Sequence, residues 1–88
     1  MKNNFTSFIR SRRIQLSKTQ AQIARHCGIN SPDFICLVEA GRRNLQLDRI
    51  PQLAEALEVD AALLCRMALN ARAPRFAAAL ALPAEEAQ

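Results

Sequence analysis

The chain carries little material for making or breaking covalent bonds. It has one histidine, His26, no clustered nucleophile, base and acid, and only two glycines, so no glycine-rich phosphate loop. Enzymatic function is set aside on that ground, and no cofactor is expected. Three cysteines, Cys27, Cys36 and Cys65, are an odd number without CxxC spacing. In a reducing compartment such residues serve as small buried hydrophobes. A metal site is not expected either, because adjacent His26 and Cys27 do not share one helix face.

What the chain does carry is positive charge, unevenly placed. Residues 1–44 hold eight basic groups (Lys2, Arg10, Arg12, Arg13, Lys18, Arg25, Arg42 and Arg43) against Asp33 and Glu39, for +6. Residues 45–88 hold four basic and six acidic groups, for −2. A basic half joined to a mildly acidic one suggests a face for a polyanion and a second face for something else. Charge alone does not separate nucleic acid from an anionic membrane. No uncharged apolar run approaches the ~18–20 residues of a membrane span, and the first residues lack the apolar core of a signal peptide. A cytoplasmic, nucleoid-associated protein with no membrane partner is the expectation.

The elements that hold these charges must be helices. Eighty-eight residues support one modest core, and half of them are apolar. Trp and Tyr are absent, and Ala and Leu far outnumber the β-branched residues, a balance that favours helix over strand. Turn chemistry divides the chain into five or six pieces. The first, 4–15, has Phe5, Ile9 and Leu16 at buried spacing, with Arg10, Arg12 and Arg13 in its last turn. The second opens on Thr19-Gln20-Ala21-Gln22, a capping box, and stops at Gly28. The third has Ser31 as N-cap, Pro32 at its first position, Ile35 and Val38 inward, and Gly41 at its end. The fourth is capped by Asp48 or Gln46, tolerates Pro51 in its first turn, and buries Ile50, Leu53, Ala54 and Leu57. Asp60 caps a fifth, Pro74 starts an Ala-rich sixth, and from Pro83 a loose tail is expected.

The informative unit is the short pair 20–27 and 32–40 joined by a glycine-containing turn. Such helices cross steeply, and the second can enter a major groove. Around this pair the sequence resembles the Cro/C1-type (lambda repressor-like, XRE) family of helix-turn-helix regulators. The stretches that carry the likeness are Ile9-Arg10-Ser11-Arg12-Arg13-Ile14-Gln15-Leu16, Thr19-Gln20-Ala21-Gln22-Ile23-Ala24 with Gly28-Ile29, and Ile35-Cys36-Leu37-Val38-Glu39-Ala40-Gly41-Arg42-Arg43-Asn44. Ile50-Pro51-Gln52-Leu53-Ala54-Glu55-Ala56-Leu57 with Val59-Asp60 extends it, so that it spans about residues 5–69.

The resemblance implies an all-α, five-helix lambda-repressor-like DNA-binding domain over 1–70, with a C-terminal helical extension over 71–88. It implies that Gln20, with Lys18 and Thr19 beside it, meets a backbone phosphate at the start of the second helix. Asn30, Ser31, Pro32 and Asp33 fall where the recognition helix first meets base edges, with Leu37 one turn further on. Arg42, Arg43 and Asn44 fall along the sugar-phosphate backbone. Arg13 and Glu39 match a structural ion pair between the first and third helices, whose disruption costs about 3 kcal/mol when buried.

Two departures stand out. The stretch from Gly28 to Ile35 is one residue longer than the commonest family turn, with Asn30 the extra residue. The recognition helix also lacks Arg, Lys, Gln and Asn. Asp33 suits a cytosine amino group, and Pro32, Phe34 or Leu37 suit thymine methyls. The plainer roles are a helix-terminus charge for Asp33 and packing beside helix one for Phe34. Arg10 or Arg12 is a phosphate contact or a solvated face, and His26 a surface residue. Cys36, on the outer side of helix three, is the thiol whose oxidation bears on binding.

Leu63, Leu64, Met67, Leu69, Phe76, Leu80 and Leu82 exceed what one thin core covers. They are expected either to join two copies, so that two recognition helices reach successive major grooves, or to fold back over the monomer. The leading reading is a homodimeric repressor on palindromic double-stranded DNA. Its rivals are the antitoxin of a toxin–antitoxin pair and an interaction adaptor whose patch is Phe34 and Leu37. A toxin or an antirepressor is the corresponding protein partner.

Overall fold

A computed structural model describes residues 4–81. Six α-helices follow one another: α1 Asn4–Gln15, α2 Gln20–His26, α3 Pro32–Glu39, α4 Ile50–Leu57, α5 Ala61–Arg72 and α6 Pro74–Ala81. There is no strand among the described residues. Leu82, the tail from Pro83 and Lys2, each invoked above, lie outside them.

One core serves α1 to α5. Phe5 and Ile9 come from α1, Ile23 from α2, Ile35 and Val38 from α3, Ile50 and Leu57 from α4, and Leu64 and Ala68 from α5, all buried. No polar or charged residue is buried with them among the described residues. Leu45 joins them from the loop after α3, a position outside every helical stripe and so without periodicity to mark it.

The first four helices stop in the same way. In each, the residue after the last turn takes the left-handed conformation, and the next amide reaches back five residues. At α2 and α3 that residue is glycine: Gly28 (φ +72) and Gly41 (φ +77). Ile29 N–H then donates to Ala24 O (2.8 Å), and Arg42 N–H to Leu37 O (2.9 Å). At α1 and α4 it is Ser17 and Glu58, both at φ +57. Lys18 N–H donates to Arg13 O (3.1 Å), and Val59 N–H to Ala54 O (3.0 Å). A side chain at such a position costs about 1–2 kcal/mol, so these two ends need support from elsewhere.

At α4 the support comes from cations. Lys18 Nζ donates to Ala56 O at 2.6 Å. Arg12 Nε donates to Leu57 O at 2.9 Å, and its Nη2 to Glu58 O at 3.3 Å. Three carbonyls at the end of α4, which have no partner inside the helix, are therefore met by the end of α1 and the loop after it. This removes Arg12 from the candidate phosphate contacts. The arginine cluster of α1 is neither a solvated face nor uniformly free; its middle member is a clamp on α4.

The helix starts follow the sequence unevenly. Thr19 makes the full capping box: its hydroxyl accepts from Gln22 N–H (3.0 Å), and Gln22 Oε1 accepts from Thr19 N–H (2.7 Å). Asp60 Oδ2 accepts from Leu63 N–H at 2.9 Å. Ser31 holds the N-cap position of α3, yet its hydroxyl makes no capping bond. Pro32 has removed one donor, and Phe34 N–H is met by Ser31's carbonyl instead (3.2 Å). Neither Asp48 nor Gln46 caps α4 through its side chain. A 3₁₀ turn, Leu47–Arg49, feeds directly into α4 and uses the first amides itself, Arg49 N–H bonding Gln46 O at 2.9 Å.

Beyond α5 the chain breaks at Ala73 (φ −143, ψ 70), and α6 packs on α5. No residue of α6 from 74 to 80 is fully buried, and the described residues extend over 45 × 25 × 22 Å. α5 itself runs unbroken through position 70.

Two outcomes follow. Leu64→Ala, at a fully buried site, is expected to lower unfolding free energy by about 2–5 kcal/mol in urea titration. Glu58→Gly is expected to raise it, by up to about 1 kcal/mol, because glycine holds the left-handed stop without strain.

Candidate nucleic-acid interface

The α2–α3 pair is set by apolar packing of Ile23, Ala24 and Cys27 against Ile35 and Val38. The Cys27 carbonyl, at the end of α2, accepts from Arg49 Nη1. Arg49 therefore pins the α2–α3 turn to the loop leading into α4, a role no local pattern announced. Burial pushes the Cys27 thiol up from its ordinary range, with Arg49 opposing weakly.

A polar knot lies beside this packing. Arg13 Nε donates to Glu39 Oε2 at 2.6 Å, and Arg13 Nη2 to Glu39 Oε1 at 3.0 Å. Gln20 Nε2 donates to the same Oε1 at 3.1 Å, and Arg13 Nη1 to Lys18 O at 3.0 Å. The side chains of Arg13 and Glu39 are 13% and 5% exposed. Hydrogen bonding to Glu39 raises the Arg13 pKa, against the lowering by burial. Helices α1, α2 and α3 are joined through one carboxylate.

This arrangement sorts the residues singled out from the sequence. Arg13 and Glu39 meet in two-pronged geometry. Gln20's side chain turns to Glu39 rather than outward. Lys18 carries its ammonium to Ala56 O and stands 3.5 Å from Glu58 Oε2, at the end of α4 rather than beside α3. Thr19 is exposed and engaged in its capping box. Asn30, Ser31, Pro32 and Asp33 are all exposed, across the turn and the first residues of α3. Cys36 and Ala40 continue that exposed stripe at helical spacing, with Leu37 half-buried at its edge. Arg42, Arg43 and Asn44 are exposed directly after α3.

Phe34, expected beside helix one, sits elsewhere. It is half-buried and lines an open cavity of about 420 Å³ with Gly28, Ile29, Asn44, Leu45, Gln46 and Arg49, none of them on α1. An adaptor patch of Phe34 and Leu37 needs both side chains exposed, and both are half-buried. His26 is a surface residue whose Nε2 stands 3.0 Å from Glu55 Oε1.

Once the engaged cations are set apart, a free set is left. Among the described residues Arg10, Arg25, Arg42 and Arg43 of the basic half have no hydrogen-bond or ion-pair partner. Arg25 was not singled out from the sequence. It lies in the last turn of α2 and lines a shallow hollow with Ala21, Asn30 and Pro32, next to the start of α3. Its signal was present: a cation three residues before the turn glycine falls beside the start of α3.

Two measurements check this geometry. Glu39→Gln is expected to cost about 3 kcal/mol by leaving Arg13 without its charge partner, while joint replacement of Arg13 and Glu39 by Met costs less than either single change. Thiol labelling under native conditions is expected to modify exposed Cys36 first and buried Cys27 last. Because the Cys27 pKa is raised in the folded chain, its stabilising share is complete below the unfolded thiol pKa. That share falls as pH rises from this value through the raised pKa of the folded chain, read as a drop in urea-unfolding free energy.

A family profile described as a helix-turn-helix domain matches residues 5–67. Searches of curated proteins and of solved structures found no match. The matched span runs from α1 into α5 and contains the α2–α3 pair, the Arg13–Glu39 knot and the free arginines around α3. With most of its length inside that match, the chain belongs to the helix-turn-helix domain family of DNA-binding proteins.

Proposed function

We propose that this chain is a transcriptional regulator that binds a palindromic operator as a homodimer, with α3 in the major groove, and represses transcription. The observation that carries the reading is the exposed stripe of α3 bordered by uncommitted arginines: Arg25 beside its start, Arg42 and Arg43 beyond its end. A helix flanked in this way can settle between two phosphate backbones. Arg25, Arg42, Arg43 and Asn44 contact phosphate. The main-chain amide of Gln20, in the first turn of α2, has no intrahelical acceptor and serves the same end. Lys18 is left out of this set because its ammonium is spent on α4.

Dimerisation is supported by the α5–α6 end. Phe76 and Leu80 are 55% and 61% exposed, Leu63 is exposed, and Met67 is half-buried. Arg72 Nη2 is buried without a hydrogen-bond partner among the described residues, and burial lowers the Arg72 pKa. That nitrogen is enclosed by the chain itself, so the support for a dimer is the exposed apolar side chains. A homodimer on a palindromic operator needs its two reading helices one DNA turn apart, ~34 Å, and this end is where we propose that the copies join. The same surface would cover a toxin if the chain were an antitoxin, and co-purification of a small partner from the source cell separates that case.

Fluorescence anisotropy on DNA from upstream of the gene, against scrambled DNA across a salt series, tests the reading. Preferential binding to the upstream DNA that weakens steeply with salt is expected. Equal weak binding to both sequences counts against operator reading. Arg42→Gln and Arg43→Gln are each expected to reduce the log–log salt slope by about 1, alike on all sequences. In sedimentation, Leu80→Glu is expected to convert a dimer to a monomer that stays folded; a monomeric parent chain would overturn the dimer.

A further inference from the structure

The chemistry that α3 offers a base pair is unusually narrow. Its eight residues contain no Arg, Lys, Asn, Gln, Ser or Thr. Two of them carry carboxylates, and both oxygens of Glu39 are engaged by Arg13 and Gln20. Asp33 is thus the one strong hydrogen-bonding side chain that α3 leaves free, and it is exposed. The rest of the outward stripe is Pro32, Cys36, Leu37 and Ala40: one imino-acid ring, one thiol, one branched aliphatic and one methyl. Phe34 is off the stripe, beside Leu45 and Arg49. Gln20, the amide nearest to α3 from the preceding helix, has its donor nitrogen on Glu39.

The four base pairs differ in the major groove by their donors, acceptors and one methyl group. A guanine edge presents two acceptors and needs donors, which the side chains of α3 lack. An adenine edge needs an amide, which α3 also lacks; the exposed Asn30 and Ser31 precede it in the turn. A thymine presents a methyl group, and a cytosine presents an amino donor; these are what apolar groups and a carboxylate can meet. A carboxylate facing a guanine or thymine edge sits unpaired near phosphates, and at adenine the N6 amino donor comes with an N7 acceptor beside it that a carboxylate repels, so Asp33 also acts against wrong sequences.

Resting on the operator-reading function proposed above, the geometry points to a more specific substrate. α3 reads duplex DNA through thymine methyl groups, met by Pro32, Cys36 and Leu37, and through one cytosine amino group, met by Asp33. It does not read guanine edges. Affinity comes from the arginines at the phosphates, and sequence choice comes from methyl positions.

The test alters the DNA and spares the protein fold. The full chain is used to select duplexes from a randomised pool, and each thymine of the selected half-site is replaced in turn by deoxyuridine, which removes only the methyl. Several-fold weaker binding at two or three thymines under α3, and unchanged binding at flanking thymines, is expected. Replacing the guanines of the half-site by 7-deazaguanine, which lacks the N7 acceptor, is expected to leave affinity unchanged. Asp33→Ala is expected to erase a preference of roughly tenfold for one C·G pair without weakening binding to unrelated DNA. Indifference to deoxyuridine, or sensitivity to 7-deazaguanine at positions under α3, overturns this proposal while leaving operator reading intact. Failure to enrich any sequence, with the protein helical by circular dichroism, removes both.

Discussion

The carboxylate of Glu39 is the point on which the reading head turns. It accepts from two nitrogens of Arg13 and one of Gln20, so a single side chain near the end of α3 fixes that helix to α1 and α2. Apolar packing sets the distance between helices, but it is non-directional and tolerates rotation. A two-pronged guanidinium–carboxylate contact is directional. With Glu39 held, the exposed stripe of α3 is held at one angle to the rest of the molecule. The arrangement also consumes the two charges, so neither is available to the solvent face.

Cations divide by where they find acceptors. Arg12 and Lys18 serve carbonyls that α4 cannot satisfy within itself, Arg13 serves Glu39 and the Lys18 carbonyl, and Arg49 serves the last carbonyl of α2. Those four positive groups bind helix to helix in this protein. Among the described residues of the basic half, 1–44, Arg10, Arg25, Arg42 and Arg43 are left over. The basic half of the chain therefore does two jobs, and its net charge overstates the number of groups available to a polyanion.

Much of this was legible in the sequence because it is local. Gly28 and Gly41 stop helices for a reason that lies in their own backbones, and Thr19 and Asp60 cap the helices that follow them directly. The stripes of Ile35 with Val38 and of Ile50 with Leu57 follow from period alone. What was not legible depends on separation in the chain. Arg12 lies 45 residues from the Leu57 carbonyl it meets, and Arg49 lies 22 from Cys27. No spacing rule connects such pairs. Ser17 and Glu58 were missed as helix stops because their conformation is unfavourable for their residue type, and the end at Glu58 is held by Arg12 and Lys18, distant in the chain. At the site, the stretch of exposed positions from Asn30 to Asp33 was readable, whereas the inward turn of Gln20 and Lys18 was not, since polar side chains carry no periodic sign of which way they face.

The break at Ala73 separates two sets of requirements. The residues that aim α3 are tied together through α1, α2 and α4, while α6 packs on α5 and contributes no fully buried side chain between 74 and 80. A substitution on α6 is therefore nearly silent for the head. Under mutation the surface of this end can change while the residues that aim α3 keep theirs. A chain divided in this way lets one end vary without disturbing the aim of the other.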